Sequence, residues 1–278
     1  MKPLGLHELH AGGNARFCAV NGLEAVAHYG EPLAEHAALG DTAGVLDLSF
    51  RGRLCLTGPD RQRFLNGQVT NNVKDLVVGQ GCYAALVTAK GRIESDLNIY
   101  CLEHELLLDV EPGLGDAVRQ RLERYLVADD VQIVDAAPHY GLLSVQGPSA
   151  EAVVRRLEPG LTLPGHPGHF ATVKHAVLGE LYLANQPRTG SAGYDLFVPE
   201  ATLAAALHQL MIATGAIGGR LCGWQALEIA RVEAGRPRFG VDMDASNLAP
   251  EAGIEGRGIS YSKGCYVGQE VIARLRTY

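Results

Sequence analysis

The chain has 278 residues, enough for two domains or for one large domain with a well-buried core. Hydrophobic residues make up 47% and charged residues 20%, with a net charge of −7, so no global basic field draws in nucleic acid or an anionic membrane surface. No stretch approaches membrane-spanning length and Met1 to Glu8 lack the apolar run of a signal peptide, so a soluble cytoplasmic protein with no direct nucleic-acid or membrane partner is expected.

Leu6 and Leu9 open the chain among small residues, without a clear element before Gly30. Glu31-Pro32 starts a helix through Leu39, which Gly40-Asp41 ends, and Val45 to Leu48 reads as a short strand. Arg53 to Thr57 is strand-like, and Gly58-Pro59-Asp60 turns it into a helix carrying Phe64 and Leu65. Cys82 to Thr88 and Ile93 to Leu102 are strands about the turn Ala89-Lys90-Gly91, followed by a strand at Leu106 to Val110. Leu114 to Leu126 is a helix with Val118, Leu122, Tyr125 and Leu126 on one face, and Asp129 to Val134 closes as a strand. This βαβββαβ order predicts an antiparallel sheet with helices on one side, a ferredoxin-like unit with an added strand.

The pattern then restarts. Leu142 to Ser149 repeats the strand, Gly-Pro, helix signal of Leu54 to Asp60. The next marker, a strand ending in proline before a helix, follows at Pro112 and again at Pro199, 54 positions after Gly58 and 52 after Gly147. The matched spacing predicts an internal duplication, against the alternative that Gly-Pro is simply reused as a helix start. Two half-units facing each other would leave a small-molecule groove. Trp224, Leu227, Ile229 and Ala230 form a further apolar helical face, and residues 235 to 262 read as extended loop.

Six cysteines lie scattered with no C-x-x-C pair, and ten histidines include no H-E-x-x-H, so no metal site is expected. Cys55 and Cys101 fall in apolar runs and read as packing residues. Cys265 differs. It lies in Lys263-Gly264-Cys265-Tyr266-Val267-Gly268-Gln269-Glu270, a glycine-rich approach to a helix start with a lysine nearby, a setting that favours a thiolate. Val271, Ile272 and Leu275 would bury one face of that helix. The alternative is a small buried hydrophobe.

Four stretches together resemble the folate-binding family of the glycine-cleavage T-protein and its YgfZ-type relatives. They are Ala43 to Ser49, the segment from Phe64-Leu65-Asn66-Gly67-Gln68-Val69-Thr70-Asn71 to Asp96-Leu97, Arg231 to Gly235, and Lys263 to Glu270. The Gly-Gln-Val-Thr block and the Lys-Gly-Cys-Tyr-x-Gly-Gln-Glu stretch are similar to the YgfZ branch. Relatives of that branch usually continue into a small β-barrel, which this sequence, ending at Tyr278, does not include; a piece of a longer chain and a naturally short member both fit. The resemblance implies an α+β fold of two ferredoxin-like antiparallel half-units in pseudo-two-fold arrangement around a central pocket for tetrahydrofolate or a one-carbon derivative. It implies domains at 1–50 with 136–240 (folate-binding) and at 51–135 (ferredoxin-like), with 241–278 as an extended segment and motif helix.

By the same resemblance Tyr83, Asp96, Asp195, Arg231 and Lys263 are the folate-binding residues, and Asp96 and Cys265 are the reactive groups. A carboxylate such as Asp195 can accept both donors on a pterin edge. Each residue has a plainer reading: Asp96 and Asp195 as solvated strand positions, Arg231 paired with Glu228 or Glu233, and Tyr83 as cross-strand packing. The implied function is support of iron–sulfur cluster assembly or repair, with cluster enzymes, a tRNA-modifying one among them, as clients. The alternatives are a folate-dependent aminomethyltransferase and a folate-binding module with an inert cysteine. A shortened loop, Arg188-Thr189-Gly190 running through Ser191-Ala192 into Gly193-Tyr194, stands where T-proteins carry a longer one.

Overall fold

The structure is a computed structural model describing residues 1–277. Its elements in chain order are α1 (His7–Gly12), β1 (Arg16–Val20), β2 (Leu23–His28), α2 (Pro32–Asp41), β3 (Gly44–Asp47), β4 (Gly52–Thr57), α3 (Arg61–Asn66) and β5 (Gly81–Val87). There follow β6 (Ile93–Cys101), β7 (Glu105–Val110), α4 (Gly115–Glu123), β8 (Gln132–Asp135), β9 (Tyr140–Gln146), α5 (Ala150–Leu157), β10 (Phe170–His175) and β11 (Gly179–Asn185). The chain closes with β12 (Gly193–Pro199), α6 (Leu203–Gly215), β13 (Arg220–Leu221), α7 (Trp224–Glu233), α8 (Glu255–Gly258) and α9 (Gln269–Thr277).

It divides into two units, Met1–Arg51 with Ala137–Arg236 and Gly52–Ala136 with Pro237–Tyr278. In the first, a six-stranded sheet has the order β10-β11-β12-β9-β3-β13, antiparallel except where β13 pairs parallel with β3. Alternate residues of β9 and β12 (Leu143, Val145, Tyr194, Leu196, Val198) pack on Val153 and Val154 of α5 and Leu203, Leu207 and Leu210 of α6. The β1–β2 hairpin lies apart from this sheet. Its two-residue turn, Asn21 (φ 49°) and Gly22 (φ 80°), is the left-handed pair that hairpin turns require. Asn-Gly between two short apolar runs is the local signal for this hairpin, an element absent from the sequence expectation.

The second unit holds a five-stranded antiparallel sheet in the order β5-β6-β7-β4-β8. The β6-β7-β4-β8 part, with α3 and α4, is the ferredoxin-like core, and β5 is the added edge strand. One face (Leu54, Leu56, Ala84, Leu86, Leu97, Ile99, Leu108) packs on Phe64 and Leu65 of α3 and Val118 and Leu122 of α4. Ala85, Val87 and Ile93 instead meet Met243, Ile254, Tyr266 and Ile272, so the segment from Pro237 onward is packed within this unit. Both sheets place a three-strand meander beside the strand preceding it, β5-β6-β7 next to β4 and β10-β11-β12 next to β9. That shared order is the topological counterpart of the sequence repeat.

Two helical faces differ from expectation. Helix α4 ends at Glu123, so Tyr125 lies beyond it, 41% exposed, with the Arg121 guanidinium 4.1 Å over its ring. In α9, Ile272 is fully buried while Leu275 is 44% exposed, because only the first turn of that helix reaches the unit's core.

Candidate functional site

Alternation along a strand decides which side chains leave the core. In β12, Tyr194, Leu196 and Val198 enter it, so Asp195 projects from the opposite face, directly across from Ser144 of β9. Asp195 is nevertheless fully buried. Ser144 Oγ donates to its Oδ1 at 2.7 Å. Arg188 covers the rest: its Nε lies 3.1 Å from Oδ1 and 3.0 Å from Oδ2, and its Nη2 donates to Oδ2. A planar, two-edged cation thus sits on a buried carboxylate, the strong geometry for such a pair. Gln146 fastens the surroundings. Its Oε1 accepts from the Arg188 backbone N–H at 2.9 Å, and its Nε2 donates to Ser144 Oγ and to the Gln186 carbonyl, both at 2.9 Å. Gly193 gives this amide room, since a Cβ there would come within 2.2 Å of Gln146 Oε1. In the same turn Thr189 Oγ1 is buried without a hydrogen-bond partner among the described residues.

Arg231, on α7 of the same unit, is held by partners close to it in sequence. Its Nε and Nη2 donate to the two carboxylate oxygens of Glu228 at 2.8 and 2.9 Å, and Nη1 donates to the Arg236 carbonyl. Glu233 bonds His36 instead.

In the second unit the sheet face opposite the helices carries a buried polar row. Tyr83, Asp96, Asn98, Asp109 and Arg53 follow one another across β5, β6, β7 and β4 through directly opposed or diagonal pairs. Asp96 is only 7% exposed, so it is no solvated strand position, and its Oδ2 accepts from the Tyr83 hydroxyl at 2.8 Å. Asn98 donates to Asp109 at 2.9 Å. The Tyr83 ring packs against α8, with the Arg257 guanidinium 4.1 Å from its centroid and Gly258 so close that a Cβ would sit 3.0 Å from the ring. Burial, and then the neighbouring Asp96, push the Tyr83 phenol well above its usual range, so it stays a hydrogen-bond donor at neutral pH.

The closing motif sorts its residues differently from the sequence reading. Lys263 points inward, and its ammonium spends all three N–H donors on the carbonyls of Asn66, Val69 and Asn71, at 2.6, 2.7 and 2.7 Å. Val267 N–H donates to the Gly67 carbonyl, Ser260 N–H to the Thr70 carbonyl, and Thr70 Oγ1 to the Gly258 carbonyl. The two stretches that carry the YgfZ resemblance therefore clasp each other. Cys265 stands outside this clasp and is the one exposed thiol of the six. Arg188, Ser144, Gln146 and Arg257 were not read as site residues; their roles depend on cross-strand and loop partners that local patterns do not encode. Among the described residues there is no cluster of three or more His, Cys, Asp or Glu placed to hold a metal, and no helix long and apolar enough to cross a membrane.

The profile of the GCVT N-terminal domain matches residues 6–258. The chain belongs to that family. An aminomethyltransferase of Corynebacterium jeikeium is 28% identical, covering 99% of this chain and 75% of that protein. One from Cupriavidus necator is 31% identical, covering 90% of this chain and 69% of that protein. The glycine cleavage system aminomethyltransferase T of Bartonella henselae superposes with a TM-score of 0.84 at 23% identity, covering 99% of this GCVT chain and 75% of that one, a likeness of fold. The α+β architecture of antiparallel sheets expected from the sequence is that of the family.

Proposed function

We propose that this chain binds a reduced folate and takes part in folate-dependent one-carbon transfer. The observation supporting this most directly is the Asp195–Arg188 fork. A buried carboxylate already accepts from a planar group with two adjacent donors, and the amidine edge of a pterin presents the same donor set. The unpartnered Thr189 hydroxyl in the adjoining turn offers a further polar contact. On this reading the unit Met1–Arg51 with Ala137–Arg236 recognises the pterin, with Arg231 held ready by Glu228 for an anionic group. Asp96, its Oδ2 kept in place by the Tyr83 hydroxyl, is the acid–base candidate. A bound reduced folate supplies the nucleophilic nitrogens that carry the one-carbon unit; Asp195 and its neighbours bind and orient the pterin. The names of the relatives favour aminomethyl transfer as the reaction.

A second reading, the YgfZ-type one, rests on Cys265. It is an exposed thiol on a loop pinned by the Lys263 clasp, suited to a role in assembling or repairing iron–sulfur clusters in client enzymes, including one that modifies tRNA. Calorimetric titration of tetrahydrofolate into wild type and Asp195→Asn tests the common ground. Saturable binding lost in the variant is expected, and no binding by folded wild type refutes both folate readings. Asp96→Asn and Cys265→Ser then separate them. Loss of aminomethyl transfer in the first variant supports transfer, whereas loss of cluster-enzyme activity in cells carrying only the second supports the thiol reading.

A further inference from the structure

Resting on the folate reading above, we propose that Arg188 determines specificity by occupying the pterin's place on Asp195 until a ligand with a matching two-donor edge displaces it. The guanidinium and the pterin amidine edge are both planar and both aim adjacent N–H donors at a carboxylate, so the two cannot occupy Asp195 together. Geometry favours displacement of the side chain alone. The Arg188 backbone N–H is fixed by Gln146 Oε1, and the Gln146 amide holds Ser144 and the Gln186 carbonyl, so the carboxylate and the turn stay in place when the guanidinium leaves. An exit exists, because the Arg188 side chain is 11% exposed while that of Asp195 is 0% exposed. The carboxylate is never left bare. Ser144 Oγ keeps its bond to Oδ1, and the incoming donors replace those that depart. A ligand offering a single donor leaves part of the carboxylate's hydrogen bonding unreplaced, and a buried charge stripped of a partner is strongly disfavoured. Arg188 thereby sets the threshold that a ligand must pass.

The test compares tetrahydrofolate affinity in wild type, Arg188→Gln and Arg188→Ala. A site closed about nine-tenths of the time weakens apparent affinity about tenfold, so both variants should bind at least that much more tightly. Weaker binding would make Arg188 a ligand contact, and unchanged affinity would make the pair structural; either result overturns the proposal. Acetamidinium, a minimal planar two-donor cation, provides a readout independent of folate. It should raise the thermal midpoint of Arg188→Ala and leave wild type unmoved, with methylammonium inactive on both. Stabilisation of the variant by acetamidinium without any folate binding would overturn the folate reading, and the gate with it, while identifying Asp195 as an amidine site. Absence of acetamidinium stabilisation in a folded variant would refute the gate itself.

Discussion

Replacing Lys263 with methionine removes one charge and leaves the side-chain volume nearly unchanged, so it isolates the ammonium's bonds to the loop after α3. Three carbonyls lose their donor, at 2.6, 2.7 and 2.7 Å in the native chain. At about 1 kcal/mol each for a net buried hydrogen bond, the expected loss is about 3 kcal/mol. With a urea m-value of about 2 kcal/mol/M, the unfolding midpoint of Lys263→Met should fall by roughly 1.5 M at unchanged slope. The measurement belongs at pH 7, because burial draws the Lys263 ammonium down from 10.5 to about 8 and it is still protonated there. Since the folded chain releases this proton before the unfolded one, the unfolded state binds the extra proton between pH 8 and 10.5. The stability of wild type relative to Lys263→Met should therefore rise across that window and stay flat below it. A loss under about 0.5 kcal/mol would refute the reasoning, showing that the cost of burying the charge cancels its three bonds.

Gly268 adopts φ +82°, and a Cβ there would lie 2.4 Å from the Thr88 carbonyl, so Gly268→Ala should cost about 2–4 kcal/mol in urea unfolding. A cost below 1 kcal/mol would mean that the turn before α9 readjusts freely. Alkylation of the native chain at pH 8 should label one thiol quickly, and Cys265→Ser should abolish that fast phase. The reason is that burial pushes the Cys55 and Cys222 thiols far up and Cys82 up to about 12. A fast phase surviving in Cys265→Ser would place the reactive thiol elsewhere. Glu35, 1% exposed, accepts from the backbone N–H groups of Tyr29 and Gly223, so Glu35→Ala should orphan both and lower the thermal midpoint by several degrees.

The sequence by itself determined the elements whose signals are local: the βαβββαβ order of the second unit, the Gly-Pro repeat, the helix at Trp224 and the motif helix at Gln269. Strand alternation and helix starts are properties of neighbouring residues, and they survive folding wherever a core face demands them. Asp96 and Asp195 were singled out through the family resemblance, since alternation alone reads them as solvated strand positions. Their surroundings were not legible. Whether Asp195 faces water or Arg188, and whether Lys263 serves Cys265 or three distant carbonyls, depends on partners reached only when strands pair and loops close. The Arg188 side chain crosses back onto the following strand, and Lys263 spans nearly two hundred positions to the loop after α3. No local pattern prices such bonds, because burial alone makes an unpaired charge intolerable, and burial is a property of the folded chain. Tertiary structure therefore decided the partners, and with them whether each polar residue is a site, a clasp or a surface group.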